Sequence, residues 1–238
     1  MNDVLKRFWN QNLEQRPTEC VAECFADICA NLLNQPFDAG FTYAATLKVE
    51  NAKPNAGGSD PLSAIQSAII YGCLPTDKEP FDATTTSESY EADFSHYAPE
   101  IKHIASLFPQ NGWAPLNSYQ DVVNWLNSGR GGVLLPITFS SSFYNKNSDG
   151  TLPEPSGVVS NHCTVLYDMY PQGISQKMGL GPDYGYCYLT EERFNQIWFG
   201  VAYGINTTKS RWFSLVKILL GHRNLFSDIY PLLSVTKG

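Results

Sequence analysis

In CVAECFADICANLLNQ the apolar residues Val21, Cys24, Phe25, Ile28, Cys29, Leu32 and Leu33 recur at three- and four-residue steps. That spacing predicts one amphipathic helix. Pro17-Thr18 supplies a stop and a cap before it, and Gln35-Pro36 ends it. A second helix is predicted over DPLSAIQSAIIYG, with Ser59 as cap, Pro61 in the first turn and Gly72 at the close. A third runs from Ser118 to Asn127 in NSYQDVVNWLNSG.

The second half reads differently. GGVLLPITFSSSFY, SNHCTVLYDMY and YGYCYLT are β-branched and aromatic runs separated by Gly, Pro, Asn and Ser, the pattern of strands. NKNSDGTLPEPSG at 145–157 is a turn-rich loop, and TEERFNQIW is a short helix capped by Thr190. A helical lobe followed by a β-rich lobe is an α+β layout. The expected division is a helical lobe over 1–115, a β-rich lobe over 116–208 and a basic extension over 209–238.

Composition narrows the function. Apolar residues make up 43% of the 238 and charged residues 16%, which excludes disorder and coiled coil. The net charge of −7 argues against a nucleic-acid binder, because phosphate contacts need cation density. The charge is uneven: residues 209–238 carry Lys209, Arg211, Lys217, Arg223 and Lys237 against Asp228, a surplus of +4, leaving −11 on the rest. The tail therefore reads as a contact for a protein assembly or as an element packed on the second lobe. No run nears the roughly 18 apolar residues of a membrane helix. The N-terminus MNDVLKRFWNQNLEQRP has no apolar core and is not a secretory signal, so the NTT at Asn206 reads as incidental. Six cysteines in such a chain read as reduced thiols.

Chemistry concentrates on a thiol and an imidazole. Cys20 falls in the first turn of the first helix, where free N–H groups and the dipole lower a thiol pKa. Cys24 and Cys29 lie on the apolar stripe and read equally as small buried hydrophobes. His96 and His103 sit in a polar acidic stretch and His222 in the basic tail, whereas His162 opens the strand CTVLYDMY, where a strand end can aim it across a cleft. A structural histidine is the competing reading. Cys20, Cys24 and Cys163 beside His162 lack a CxxC pair, so no metal is expected. GLGPDYG is neither a P-loop nor a dinucleotide fingerprint, so no cofactor is expected either.

The ordered set of segments resembles the papain-like (C1) cysteine peptidases, in divergent form. EQRPTECVAECFADI resembles that family's approach to its nucleophile and the helix behind it. AGGSDPLSAIQSAIIYGCLPTDKEPFD resembles its Gly-Gly turn, helix and Tyr-Gly segment, and GRGGVLLPITFSSSFY the strand before its histidine loop. SNHCTVLYDMY resembles the histidine block, and GPDYGYCYLTEERF the turn and strand that follow. Order and spacing agree from residue 12 to residue 206.

The resemblance implies a two-lobed fold whose second lobe is barrel-like, with Cys20 as nucleophile, His162 as base and Gln15 as side-chain donor to the oxyanion hole. Cys24 is the rival nucleophile. Gln15 stands one residue nearer to Cys20 than the family pattern. The family's orienting Asn corresponds to Met178 and its shielding aromatic to Leu180. A methionine side chain accepts an imidazole N–H only weakly, which leaves Gln176 or a backbone carbonyl to substitute. The implied function is hydrolysis of peptide or isopeptide bonds through an acyl-thioester. The alternative is a catalytically degenerate papain-fold component of a larger assembly such as a viral particle. Cys20 lies so near the N-terminus that no propeptide of the usual length is expected, and the expected location is the cytoplasm or a virion.

Overall fold

The computed structural model describes residues 18–54, 57–81, 86–108, 112–180 and 184–206. The predicted tail over 209–238, with its assembly contacts, and Gln15 lie outside the described residues. The first helix, α1 (Cys20–Leu33), ends where Asn34 turns left-handed, one residue before Gln35-Pro36. Thr18 does not cap it; its hydroxyl donates to Glu88 instead. The helix α2 (Ala39–Glu50) was not legible in the pattern, because Gly40 to Leu47 are all buried and a helix apolar on every side has no stripe. Asp38 caps it. In α3 (Pro61–Ile70) the cap is Asp60, which accepts from the Ser63 N–H at 2.8 Å, rather than Ser59.

After a 3-10 turn at Thr76–Lys78 come α4 (Glu88–Glu91) and α5 (Pro99–Ser106). Phe41 packs edge to face on Tyr97 and tilted against Phe94, and the three rings form the centre of this helical part.

The β-rich part is one antiparallel sheet of six strands in the order β1-β6-β2-β3-β4-β5. These are β1 (Gly112–Leu116), β2 (Val133–Ser140), β3 (Val159–Tyr170), β4 (Gly173–Lys177), β5 (Tyr186–Leu189) and β6 (Ala202–Asn206). α6 (Tyr119–Asn127) starts at Ser118, whose hydroxyl accepts from the Asp121 N–H, and α7 (Glu191–Ile197) starts at Thr190 in the same way. One face of β2 sends Val133, Leu135, Ile137 and Phe139 into a core shared with Met178, Phe194 and Trp125. Leu134 and Pro136 on the other face are buried as well, since α1 packs on β2 and β3. A strand covered on both sides reads as a continuous apolar run, as VLLPITF does. Among the described residues no helix is long and apolar enough to cross a membrane.

Candidate active site

Cys20 is the first residue of α1 and half-buried. The N–H groups of Val21 and of Cys20 itself, with the backbone of Cys163, favour its thiolate as expected for a helix start. Burial and the adjacent Cys24 outweigh them and push the thiol up to about 11. The expectation of a lowered thiol pKa is thus reversed, because desolvation of a sulfur set against the sheet costs more than a few oriented dipoles return.

The helix carrying Cys20 meets the strand carrying His162. The Cys24 thiol donates to the carbonyl of Cys163, the residue after His162, at 3.2 Å. Cys24 is itself sealed, and burial raises its pKa well above the ordinary thiol range. A second tie runs from α1 to β4, where the Lys177 ammonium is paired with Asp27. Burial raises Asp27 and the Lys177 charge pulls it back down. Sequence reasoning missed this pair; the signal was Asp27 between Phe25 and Ile28, beside the apolar stripe of the helix.

His162 is half-buried on β3, with the Phe139 ring edge-on at 5.3 Å. Its Nε2 lies 2.7 Å from the carbonyl oxygen of Met178. A carbonyl only accepts, so the neutral ring carries its proton on Nε2, and Nδ1 keeps the lone pair. Burial lowers the His162 pKa and the Met178 carbonyl partly restores it. The Met178 side chain is wholly buried in the sheet core, so only its backbone serves the ring. Leu180 packs against the same core. The Gln176 amide is turned elsewhere: its Nε2 donates to Thr164 Oγ1 at 2.9 Å, and its oxygen faces the Cys187 thiol at 3.6 Å. His96 is stacked on Tyr90 at the surface and His103 is exposed.

The chain matches no protein-family model and no curated protein. Among solved structures it superposes on xylellain, a cysteine protease from Xylella fastidiosa, with TM-score 0.66 and 15% identity over 82% of each chain. The Carica candamarcensis cysteine protease CMS1MS2 in complex with E-64 gives TM-score 0.55 and 12% identity over 84% of this chain and 97% of that one. The bromelain protease of Ananas comosus in complex with E64 gives 0.54 and 11% over 82% and 91%.

The fold is papain-like.

On that fold α1, which begins at Cys20, packs on β3, which carries His162, and on β2.

Proposed function

We propose that this chain is a cysteine peptidase in which Cys20 attacks a peptide or isopeptide carbonyl and His162 is its general base. What supports the reading is the carbonyl of Met178 on Nε2, because it leaves Nδ1 as the free basic nitrogen. With the thiol raised to about 11 and the imidazole lowered, both groups rest neutral near pH 7. The proton therefore moves from sulfur to Nδ1 as the C–S bond forms. The imidazolium, held through Nε2–H by the Met178 carbonyl, returns that proton to the leaving amine, and an acyl-thioester remains on Cys20. Water then attacks the thioester with His162 again as base, the C–S bond breaks, the acid product leaves and the proton returns to the Cys20 sulfur. Backbone N–H groups at the start of α1 are the nearest donors for the oxyanion, with Gln15 as the proposed side-chain donor.

The test is labelling by E-64, the inhibitor bound in two of the neighbouring structures. Labelling is expected at Cys20, absent in Cys20→Ser and at least tenfold slower in His162→Ala. Equal rates in the wild type and His162→Ala would overturn the pairing.

A second reading is favoured by the raised thiol: a papain-fold binding or structural component of a larger assembly, without turnover. Cleavage of a peptide library that disappears in Cys20→Ser excludes it.

A further inference from the structure

Asp38, Glu79 and Glu91 come from three separate stretches and converge away from the thiol and imidazole. Asp38 caps α2, Glu79 follows the 3-10 turn, and Glu91 ends α4. One carboxylate oxygen from each lies within 4.8 Å of the others. Asp38 and Glu91 are 4% and 2% exposed, and Glu79 is half-buried. The start of α2 offers some compensation, as the Phe41 N–H donates to Asp38 Oδ1.

Tyr97 supplies an independent observation. Its ring is locked against Phe41 at 5.1 Å and Phe81 at 4.8 Å, the residue is 1% exposed, and its buried hydroxyl has no hydrogen-bond partner. Buried hydroxyls normally find one. Asp38, Glu91 and Glu79 are the three carboxylates that act on it most, ahead of Glu19, so the phenol oxygen lies beside the same acidic centre. Gly40 keeps that centre open: a Cβ there would stand 2.3 Å from Glu91 Oε1.

We propose that Asp38, Glu79 and Glu91, with the Tyr97 hydroxyl turned toward them, bind a calcium ion that fastens α2, the 3-10 turn and α4 together. An all-oxygen, anionic ligand set selects a hard cation. Magnesium keeps several waters and takes only one or two carboxylates, whereas calcium accepts six to eight oxygens in a flexible geometry. Three carboxylates whose oxygens lie within 4.8 Å of one another, two of them buried, suit calcium. The phenol oxygen and water complete its shell.

The test is calorimetric titration of the full chain, stripped with EDTA, with calcium chloride and in parallel with magnesium chloride. One calcium per chain is expected. Glu79→Gln, a change at a half-buried position, should weaken binding at least tenfold, whereas Asp77→Asn on the same turn should leave it unchanged. Calcium at a hundredfold above Kd should raise the wild-type melting midpoint by about 5 °C or more. Terbium luminescence excited through tyrosine should appear in the wild type and fall in Tyr97→Phe. Absence of calcium heat and of any midpoint shift up to about 10 mM calcium would overturn the site. So would a Glu79→Gln protein that binds as the wild type does, and tighter binding of magnesium would overturn the assignment of calcium.

Discussion

The Nε2 of His162 stands 2.7 Å from the backbone carbonyl of Met178, the residue sixteen positions later in the chain. The imidazole is therefore oriented by a peptide group, while the methionine side chain faces the other way into the core. Met178→Leu, a volume-conserving change, should leave peptide hydrolysis within about twofold of wild type. Met178→Asn should add no rate, because its amide enters the apolar core, and should cost about 1–3 kcal/mol of stability. Steady-state rates and urea unfolding on both variants check this; a faster Met178→Asn enzyme would mean that the side chain reaches the ring.

Alkylation of Cys20 by iodoacetamide should climb steadily from pH 7 toward about 11, with no plateau on the acid side. A preformed thiolate–imidazolium pair would give such a plateau. His162 titrates below the free imidazole value of 6.5, so its folded pKa is depressed. Stability from this group is present above pH 6.5 and is lost as pH falls through the folded value. Rate and unfolding profiles over pH 4–11 separate the two groups, since alkylation follows the thiol and acid unfolding the imidazole.

Of six free cysteines, five are buried and Cys20 is half-buried. A thiol reagent such as DTNB should titrate about one thiol per folded chain, slowly, and six after unfolding. Cys20→Ser should remove the native signal. Two or more fast thiols in the folded state would contradict the packing of α1 on β3.

The sequence pattern carried α1, α3, α6 and the strands β2, β3 and β5 because each buries one side or a continuous apolar run. Their ends were less visible: Asp60 took the capping role expected of Ser59, since the nearer carboxylate reaches the Ser63 N–H. α2 was hidden by being apolar all round, and β4 by carrying Ser175, Gln176 and Lys177 into buried positions. Cys20 and His162 were legible as residue types at a helix start and a strand. At position 178 the sequence left two substitutes open, Gln176 or a backbone carbonyl, and only the path of the chain shows the Met178 carbonyl on the ring and Gln176 turned to Thr164. The opposition of burial to the helix dipole at Cys20 also depends on packing that periodicity does not measure.

Asp27 and Lys177 join α1 to β4, with side chains 21% and 9% exposed. Asp27→Asn leaves the ammonium without its counter-charge and should cost about 3 kcal/mol. Asp27→Leu with Lys177→Met should recover most of that loss, because no charge then remains at the seam. Urea midpoints of the single and double variants give the coupling. A single variant as stable as the wild type would show the pair contributes little.

Gly72 follows α3 at φ +80°, and a Cβ there would lie 1.9 Å from the Ala105 carbonyl oxygen. Gly72→Ala combines a disfavoured backbone with a collision against backbone and should cost about 2–3 kcal/mol. A melting midpoint unchanged from wild type would show that α5 gives way freely.

Every residue of every protein has a peptide carbonyl, so a histidine steered by one depends on the path of the chain and on no particular letter at that place. Drift at position 178 can pass through any side chain that fills the same hollow, and the proton economy of His162 stays as it was. Met178 follows β4 directly, so the antiparallel pairing of β4 with β3 carries its carbonyl to the His162 ring. The constraint has moved from composition to curvature.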